Sequence, residues 1–376
     1  MKVAIVHDYI KEYGGAERVL EALCEAYPDA PIYTSVYMPR FLGPHKARFS
    51  KFDIRTSWLQ YIPFKQKLIS PFRLLSPWIF KQFDFSPYDV IIVSATGAYF
   101  PNALEKKSAL QICYCHTPPR YLYGYATARE WKKYAFVAFL ASIANHFLRM
   151  EDFSISQNVD QYIANSEEIA GRIKKFYRRD AAVIYPPVAI VSRPLEQKKK
   201  NYFLTGGRLA RAKHVDLIVR VCSDLQLPLK VFGKGFAGYG EELRKIAGPT
   251  IEFVGEVTDE EKVALMEGAK AFLFASEDED FGIIPVEAMG SGTPVIAYKS
   301  GGVKETVLDG KTGIFFETLS DESLKLAIKR FEKMKFDPKV CRKQAEKFSK
   351  ERFIREIKQF VNEKVKVGYK CCYVIL

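Results

Sequence analysis

Short runs of β-branched and aromatic residues alternate with stretches of helical period from one end of the chain to the other, the pattern of parallel sheets whose strands are joined by crossover helices. In the first half the apolar positions predict strands at 2–7, 31–36, 89–94, 110–115, 161–164 and 182–185. Helices are predicted between them at 16–27 and 130–149, and Ser166 stands where a serine N-cap would open a helix at Glu167. The pattern breaks at Tyr185-Pro186-Pro187. The run Glu196-Gln197-Lys198-Lys199-Lys200 is charged and has no apolar period, which marks an interdomain linker. A second series follows, with strands at 202–205, 229–232, 251–254, 271–275, 294–297 and 313–316 and helices at 215–223, 239–246, 259–267 and 320–334. The chain therefore predicts two tandem αβ domains, 1–187 and 200–337, without a visible sequence repeat. A last helix is predicted from 338 to about 365, in a tail 338–376 expected to pack back on the first domain.

The length agrees with two cores, because 376 residues exceed what one hydrophobic core usually supports. Apolar residues are 48% and charged residues 27%, both ordinary for a globular protein. No segment reaches the roughly 18 consecutive apolar residues of a spanning helix, and the opening Met1-Lys2-Val3-Ala4-Ile5-Val6 is too short for a signal peptide. A cytoplasmic protein is expected. The 7 cysteines are odd in number and scattered, which argues for reduced thiols. Cys113, Cys115 and His116 form a C-x-C-H run, but on a strand the two cysteines share one face and the histidine takes the other, a poor zinc geometry. Cys371 and Cys372 precede Tyr373-Val374-Ile375-Leu376, which does not meet the prenylation pattern. A formal charge of +13 asks for an anionic partner, and charge alone leaves nucleic acid, a membrane surface and a phosphorylated small molecule open.

Candidate chemistry clusters after strand ends, where open parallel sheets bind ligands. Gly14-Gly15 follow the first strand and precede a helix, either as a plain turn or as a loop that lets backbone approach a phosphate. In the second domain Gly206-Gly207-Arg208 ends the first strand, and Lys213 stands where the next helix begins. Two cations there suit a diphosphate, since arginine offers paired planar donors and lysine a point charge, although both could be surface charges. The run from Gly233 to Gly238 fits G-x-G-x-x-G and raises a dinucleotide oxidoreductase. It follows the second strand of its domain, not the first where that fingerprint belongs, and reads better as a strand-to-helix turn near a ligand. The segment Ser276-Glu277-Asp278-Glu279-Asp280-Phe281-Gly282-Ile283-Ile284-Pro285-Val286-Glu287 is the most informative. It predicts the amides of Gly282, Ile283 and Ile284 at the positive end of a helix, with carboxylates on either side. Amides and cations would hold a diphosphate, and carboxylates would hold hydroxyls.

The spacing Glu279-x7-Glu287 within EDFGIIPVEAMGSGTPVIAYKSGG, with GGRLARAKHVDLIV before it and HDYIKEYGGAERV at the start, closely resembles the large retaining glycosyltransferase family with the E-x7-E signature, glycosyltransferase family 4. Within it the chain looks most like bacterial and archaeal mannosyltransferases of polysaccharide and glycolipid assembly. The resemblance implies an α/β GT-B fold, two Rossmann-like parallel-sheet domains facing a central cleft, with the donor on the second domain and the acceptor on the first. By resemblance Glu287 grips the ribose, Arg208 and Lys213 the diphosphate, and Glu279 the hydroxyls of the transferred sugar. Gly207, Phe281, Gly282, Ile283 and Ile284 line the donor, with Gly14 and Gly15 beside the diphosphate. His116, in Tyr114-Cys115-His116-Thr117-Pro118-Pro119, matches a histidine near the sugar, its alternative being a histidine that caps a strand end.

The implied reaction is retaining transfer of a hexose, mannose from GDP-mannose, to a glycan or lipid-linked acceptor, with no cofactor and no essential metal. Asp278-x-Asp280 is accordingly not taken as a metal-binding D-x-D motif, because two cations already neutralise the leaving group. His7 and Asp8 are assigned to the acceptor side. Two other classes stay open: a sugar-nucleotide epimerase on the same fold, and a non-catalytic anion- or membrane-binding protein. Residues 54–83 hold no acidic residue, and Arg55, Lys65, Lys67, Arg73 and Lys81 are interleaved there with Trp58, Tyr61, Phe64, Phe72, Trp78, Ile79 and Phe80. Such a mixture suits an anionic bilayer surface, which would put the protein peripherally on the inner face of the cell membrane. The alternative is that the aromatics are core and the cations solvated. No nucleic-acid partner is expected.

Overall fold

The computed structural model describes residues 1–125, 135–190, 194–195 and 199–373. Its described residues form two units, one from 1–125, 135–187 and 350–373, the other from 188–349. Residues 130–134 of the helix expected at 130–149, and residues 196–198 of the expected linker, lie outside the described residues.

The first unit is built on a 7-stranded parallel sheet in the order β3-β2-β1-β4-β5-β6-β7. Its strands are β1 (Val3–His7), β2 (Ile32–Thr34), β3 (Ile54–Thr56), β4 (Val90–Ala95), β5 (Leu110–Cys115), β6 (Gln161–Ala164) and β7 (Ala182–Val183). The central strands are buried on both faces, as covered parallel sheets require. On one face Val3, Ile5, Val90, Ile92 and Ile112 pack in one core; on the other Ala4, Val6, Ile91, Val93, Cys113 and Cys115 pack in a second. The edge strand β3 was not expected from the sequence. Three part-exposed residues are too few to display a period of two. The helix Ala135–Gln157 continues beyond the expected end at 149. Ser166 caps Glu167–Tyr177 as expected, its hydroxyl accepting from the Ile169 amide at 3.2 Å.

The second unit holds a 6-stranded parallel sheet in the order β10-β9-β8-β11-β12-β13, from β8 (Phe203–Gly206), β9 (Leu229–Phe232), β10 (Ile251–Gly255), β11 (Phe272–Phe274), β12 (Val295–Tyr298) and β13 (Gly313–Phe316). Strand order reverses between β1 and β4 in the first sheet and between β8 and β11 in the second. At such a switch the crossovers leave in opposite directions, opening a crevice at the carboxyl ends of the two strands.

The single helix expected from 338 is two helices, Pro338–Glu346 and Lys350–Tyr373. Between them Phe348 is buried edge-on against Phe281, ring centroids 5.4 Å apart, and its carbonyl accepts from the Val188 amide at 2.9 Å. Both contacts bend the chain, and neither leaves a glycine or proline to mark the bend. Segment 338–349 consequently belongs to the second unit. The last helix packs on the first, with Phe353, Ile357 and Val361, spaced four apart along one face, fully buried beside Val3, Ile5 and Ile32. Arg352 ties it further by donating to the carbonyl of Tyr185 at 2.8 Å. Among the described residues no helix is long and apolar enough to cross a membrane.

Phe353→Ala should lower the stability of the first unit by about 3–5 kcal/mol, measured as a shift of its urea transition with the second unit's transition unmoved. An unchanged transition would mean that the last helix is dispensable to that core.

Candidate active site

In the second unit the residues at the switch between β8 and β11 meet by close backbone approach. Gly207 follows β8 at φ +112 and Gly233 follows β9 at φ +114. A Cβ on Gly233 would lie 1.8 Å from the Gly207 carbonyl oxygen, and one on Gly207 would lie 2.4 Å from Ile284 Cδ1. Two strand ends thus meet backbone to backbone, and the Ile284 side chain from the first turn of the helix Ile283–Gly290 fills the space over Gly207. The run Gly233–Gly238 borders a cavity of roughly 290 Å³ with Leu209, Arg244 and Gly255, as a strand-to-helix turn and not as the first loop of a dinucleotide domain.

The acidic loop after β11 is held against this junction. Gly282, at φ +86, forms the left-handed N-cap of Ile283–Gly290, so the first-turn amides lack intrahelical partners. Phe281 is buried on Phe348, which leaves only its backbone for a ligand; Ile283 and Ile284 are half-buried. Glu279 is brought to Lys213 in a direct ion pair, and the same carboxylate oxygen accepts from the Ser276 hydroxyl at 2.6 Å. The Glu279 carbonyl accepts from the Gly302 amide at 2.8 Å, and a Cβ on Gly301 would lie 2.1 Å from that carbonyl. Sequence reasoning did not assign Ser276 or the Gly301-Gly302 pair a role, since their part is tertiary. Arg208 is exposed just after β8.

Glu287 is buried on the helix and accepts from Lys262 Nζ at 2.8 Å; Lys262, on Asp259–Gly268, lies 3.3 Å from Asp259 as well. Each glutamate of the E-x7-E pair therefore has its own lysine, Lys213 for Glu279 and Lys262 for Glu287. Lys262 was missed. Its one signal is its position one turn before the buried Met266, a lysine on a core-facing stripe.

In the first unit, polar groups gather where β1, β4 and β5 end. His7 Nδ1 lies 3.0 Å from Ser94 Oγ, and Ser94 Oγ lies 2.9 Å from His116 Nε2. Glu17 Oε1 lies 3.9 Å from His7 Nε2, while Glu17 Oε2 accepts from the Gly14 amide at 2.9 Å. That amide is thus occupied by its own helix, Gly15–Ala26. Gly14 and Gly15 stand at its start. All of His7, Ser94, His116 and Glu17 are buried. Burial, with a smaller contribution from the neighbouring His7 ring, lowers the His116 pKa to about 3, so its imidazole is neutral. Asp8 accepts from the Thr96 amide at 2.5 Å, and burial raises its pKa to about 6 against the lowering effects of His7 and Thr96. Cys113 and Cys115 are in the core.

Residues 189–348 match the model for glycosyl transferases group 1, and residues 13–190 match that for glycosyltransferase family 4. The chain belongs to glycosyltransferase family 4. Among its relatives, the alpha-1,3/1,6-mannosyltransferase of Mus musculus is 25% identical over 323 residues, 74% of each protein. Among solved structures, sucrose-phosphate synthase from Thermosynechococcus elongatus superposes with TM-score 0.71 at 18% identity, covering 98% of this chain and 100% of that one. HepE from Anabaena, in complex with UDP and glucose, gives 0.62 at 18% identity over 96% of this chain and 99% of that one. The fold of this glycosyltransferase is GT-B, with two Rossmann-like parallel-sheet units.

Replacing Lys262 by Met leaves the buried Glu287 of the glycosyltransferase without its cation and should destabilise the second unit by about 3–5 kcal/mol. Adding Glu287→Leu should recover most of that loss in urea denaturation. An equal loss in the double variant would mean that packing, not charge pairing, holds the two helices.

Proposed function

We propose that this glycosyltransferase moves mannose, with retention, from GDP-mannose to a glycan or lipid-linked acceptor, without an essential metal. The observation that carries the reading is the junction of β8 and β11, where the Lys213–Glu279 pair, the half-buried first turn of Ile283–Gly290 and Glu287 lie on adjoining elements. Two further supports are the mannosyltransferases among the relatives and the UDP-bound state of a structural neighbour. Lys213, Arg208 and the free amides carry the charge of the departing diphosphate. Glu279 binds hydroxyls of the transferred sugar, and Glu287 binds the ribose. The first unit takes the acceptor, and His116 at its switch point serves the sugar. The bond from the anomeric carbon to the diphosphate oxygen breaks, the acceptor oxygen bonds to that carbon from the same face, and the acceptor proton leaves on the diphosphate.

Turnover of GDP- and UDP-sugars decides the donor, with GDP-mannose expected to be consumed only in the presence of acceptor. Free epimerised sugar nucleotide would point to an epimerase instead. Arg208→Ala and Lys213→Ala should each lower kcat on the order of 10²–10³-fold, and Glu287→Ala should chiefly weaken nucleotide binding. Turnover near wild type in either cation variant removes the clamp, and activity lost in EDTA and restored by Mg²⁺ would reinstate the D-x-D motif.

A peripheral position on the inner face of the membrane is the second part of the proposal. Residues 54–83 divide between core and surface. Leu59, Phe72, Ile79 and Phe80 are buried, whereas Trp58, Tyr61, Phe64, Leu74 and Trp78 are exposed, Tyr61 and Phe64 at 84% and 70%. Arg55 is paired with Asp53 and Arg73 lies over the Tyr121 ring, while Lys67 and Lys81 are exposed. Exposed rings beside cations suit headgroups, each cation contributing about 1 kcal/mol near an anionic surface. The protein should co-sediment with vesicles containing anionic lipid, release at high salt, and lose affinity when Lys65, Lys67, Arg73 and Lys81 become Ser. Binding indifferent to those changes would leave the segment as ordinary surface.

A further inference from the structure

We infer that Glu17, His7 and Ser94 are positioning residues that fix the tautomer of His116, holding the proton on Nε2 and leaving Nδ1 as a bare hydrogen-bond acceptor. Its bearing on catalysis rests on the proposed role of His116 at the sugar. The tautomer itself does not.

The Ser94 hydroxyl has one proton and lies between two imidazole nitrogens, at 3.0 Å from His7 Nδ1 and 2.9 Å from His116 Nε2. It can donate to only one of them. The choice is made at the far end of His7. Its Nε2 is buried with no hydrogen-bond partner, and Glu17 Oε1 lies 3.9 Å from it. In so dry a place a nitrogen lone pair turned to a carboxylate is repelled and an N–H is attracted. The His7 proton therefore sits on Nε2, and Nδ1 accepts the Ser94 proton. The serine oxygen is then left to His116 as an acceptor only, so His116 must donate from Nε2 and its Nδ1 carries the lone pair.

The order of the chain is set by the fold, because His7 ends β1, Ser94 lies in β4 in register with His7, and His116 follows β5. Glu17 is anchored by the Gly14 amide at 2.9 Å, so the relay starts at the glycine loop. A neutral imidazole with a bare Nδ1 can accept from a sugar hydroxyl. The opposite tautomer would turn an N–H on it and could serve only an acceptor atom.

Long-range ¹H–¹⁵N spectra of the full chain, uniformly labelled, read the tautomer directly, and 5 histidines can be assigned by single His→Gln variants. The expected result is His116 as one tautomer, protonated at Nε2. In Ser94→Ala it should become a mixture, and Ser94→Thr, which keeps the hydroxyl, should restore it. Glu17→Gln should loosen the tautomer of His7 and, through Ser94, that of His116, and it provides the test if Ser94→Ala does not fold. With sugar donor, Ser94→Ala should lower kcat roughly tenfold, about the worth of one well-placed hydrogen bond, with KM little changed. A wild-type His116 protonated at Nδ1, or a tautomer unmoved in both Ser94→Ala and Glu17→Gln, overturns the relay. The expected spectra together with full turnover in His116→Ala would instead keep the relay and refute the role of His116 at the sugar.

Discussion

Both units depend on the same constraint, the reversal of strand order within a parallel sheet. Strands buried on two faces expose functional groups only at their ends, and crossover helices cover most of those ends. At β1/β4 and at β8/β11 the crossovers part, and polar groups from neighbouring strand ends can gather there. His7, Ser94 and Gly207 stand at or just after these ends, His116 follows the neighbouring β5, and Lys213 and Glu279 lie in the segments that follow β8 and β11. They come from distant points of the chain because parallel neighbours are joined only by long crossovers.

The polar groups gathered there are not left to water. Glu287 and Lys262 neutralise each other inside the second unit, and Glu279 meets Lys213 at a less buried point. Burial makes the first pair a fixture, since either charge alone would be costly to hold. The more accessible pair is free to exchange partners at small cost. In the first unit the same low dielectric keeps His116 neutral.

Much of the fold is legible in the chain itself. Twelve of the thirteen strands among the described residues, all but β3, could be read from β-branched runs because a strand buried on both faces needs a continuous apolar stretch, whatever its partners. Gly207 and the stretch from Glu279 to Glu287 left local marks for a related reason, whereas Gly14-Gly15 opens its own helix with the Gly14 amide held by Glu17. Close backbone approach needs glycine, and a helix N-cap after a buried strand leaves a local trace in the sequence. The resemblance to family 4 rests on those same local features.

What the sequence could not supply is what depends on distance in space. Lys262 gains its meaning only when the helix Asp259–Gly268 is laid against Ile283–Gly290. Ser94 gains its own only when β4 is paired with β1 and β5, putting one hydroxyl between two imidazoles. The bend at Phe348 and the thin edge strand β3 left no local mark, since one is made by a distant aromatic and a distant amide and the other is too short to show a period. The sequence by itself determined most of the elements, the glycine turns and the residue types of the site, because backbone conformation and burial act on neighbours along the chain. Which charge meets which, and which nitrogen carries a proton, was decided by the tertiary structure alone, because electrostatic pairing acts through space over a few ångströms.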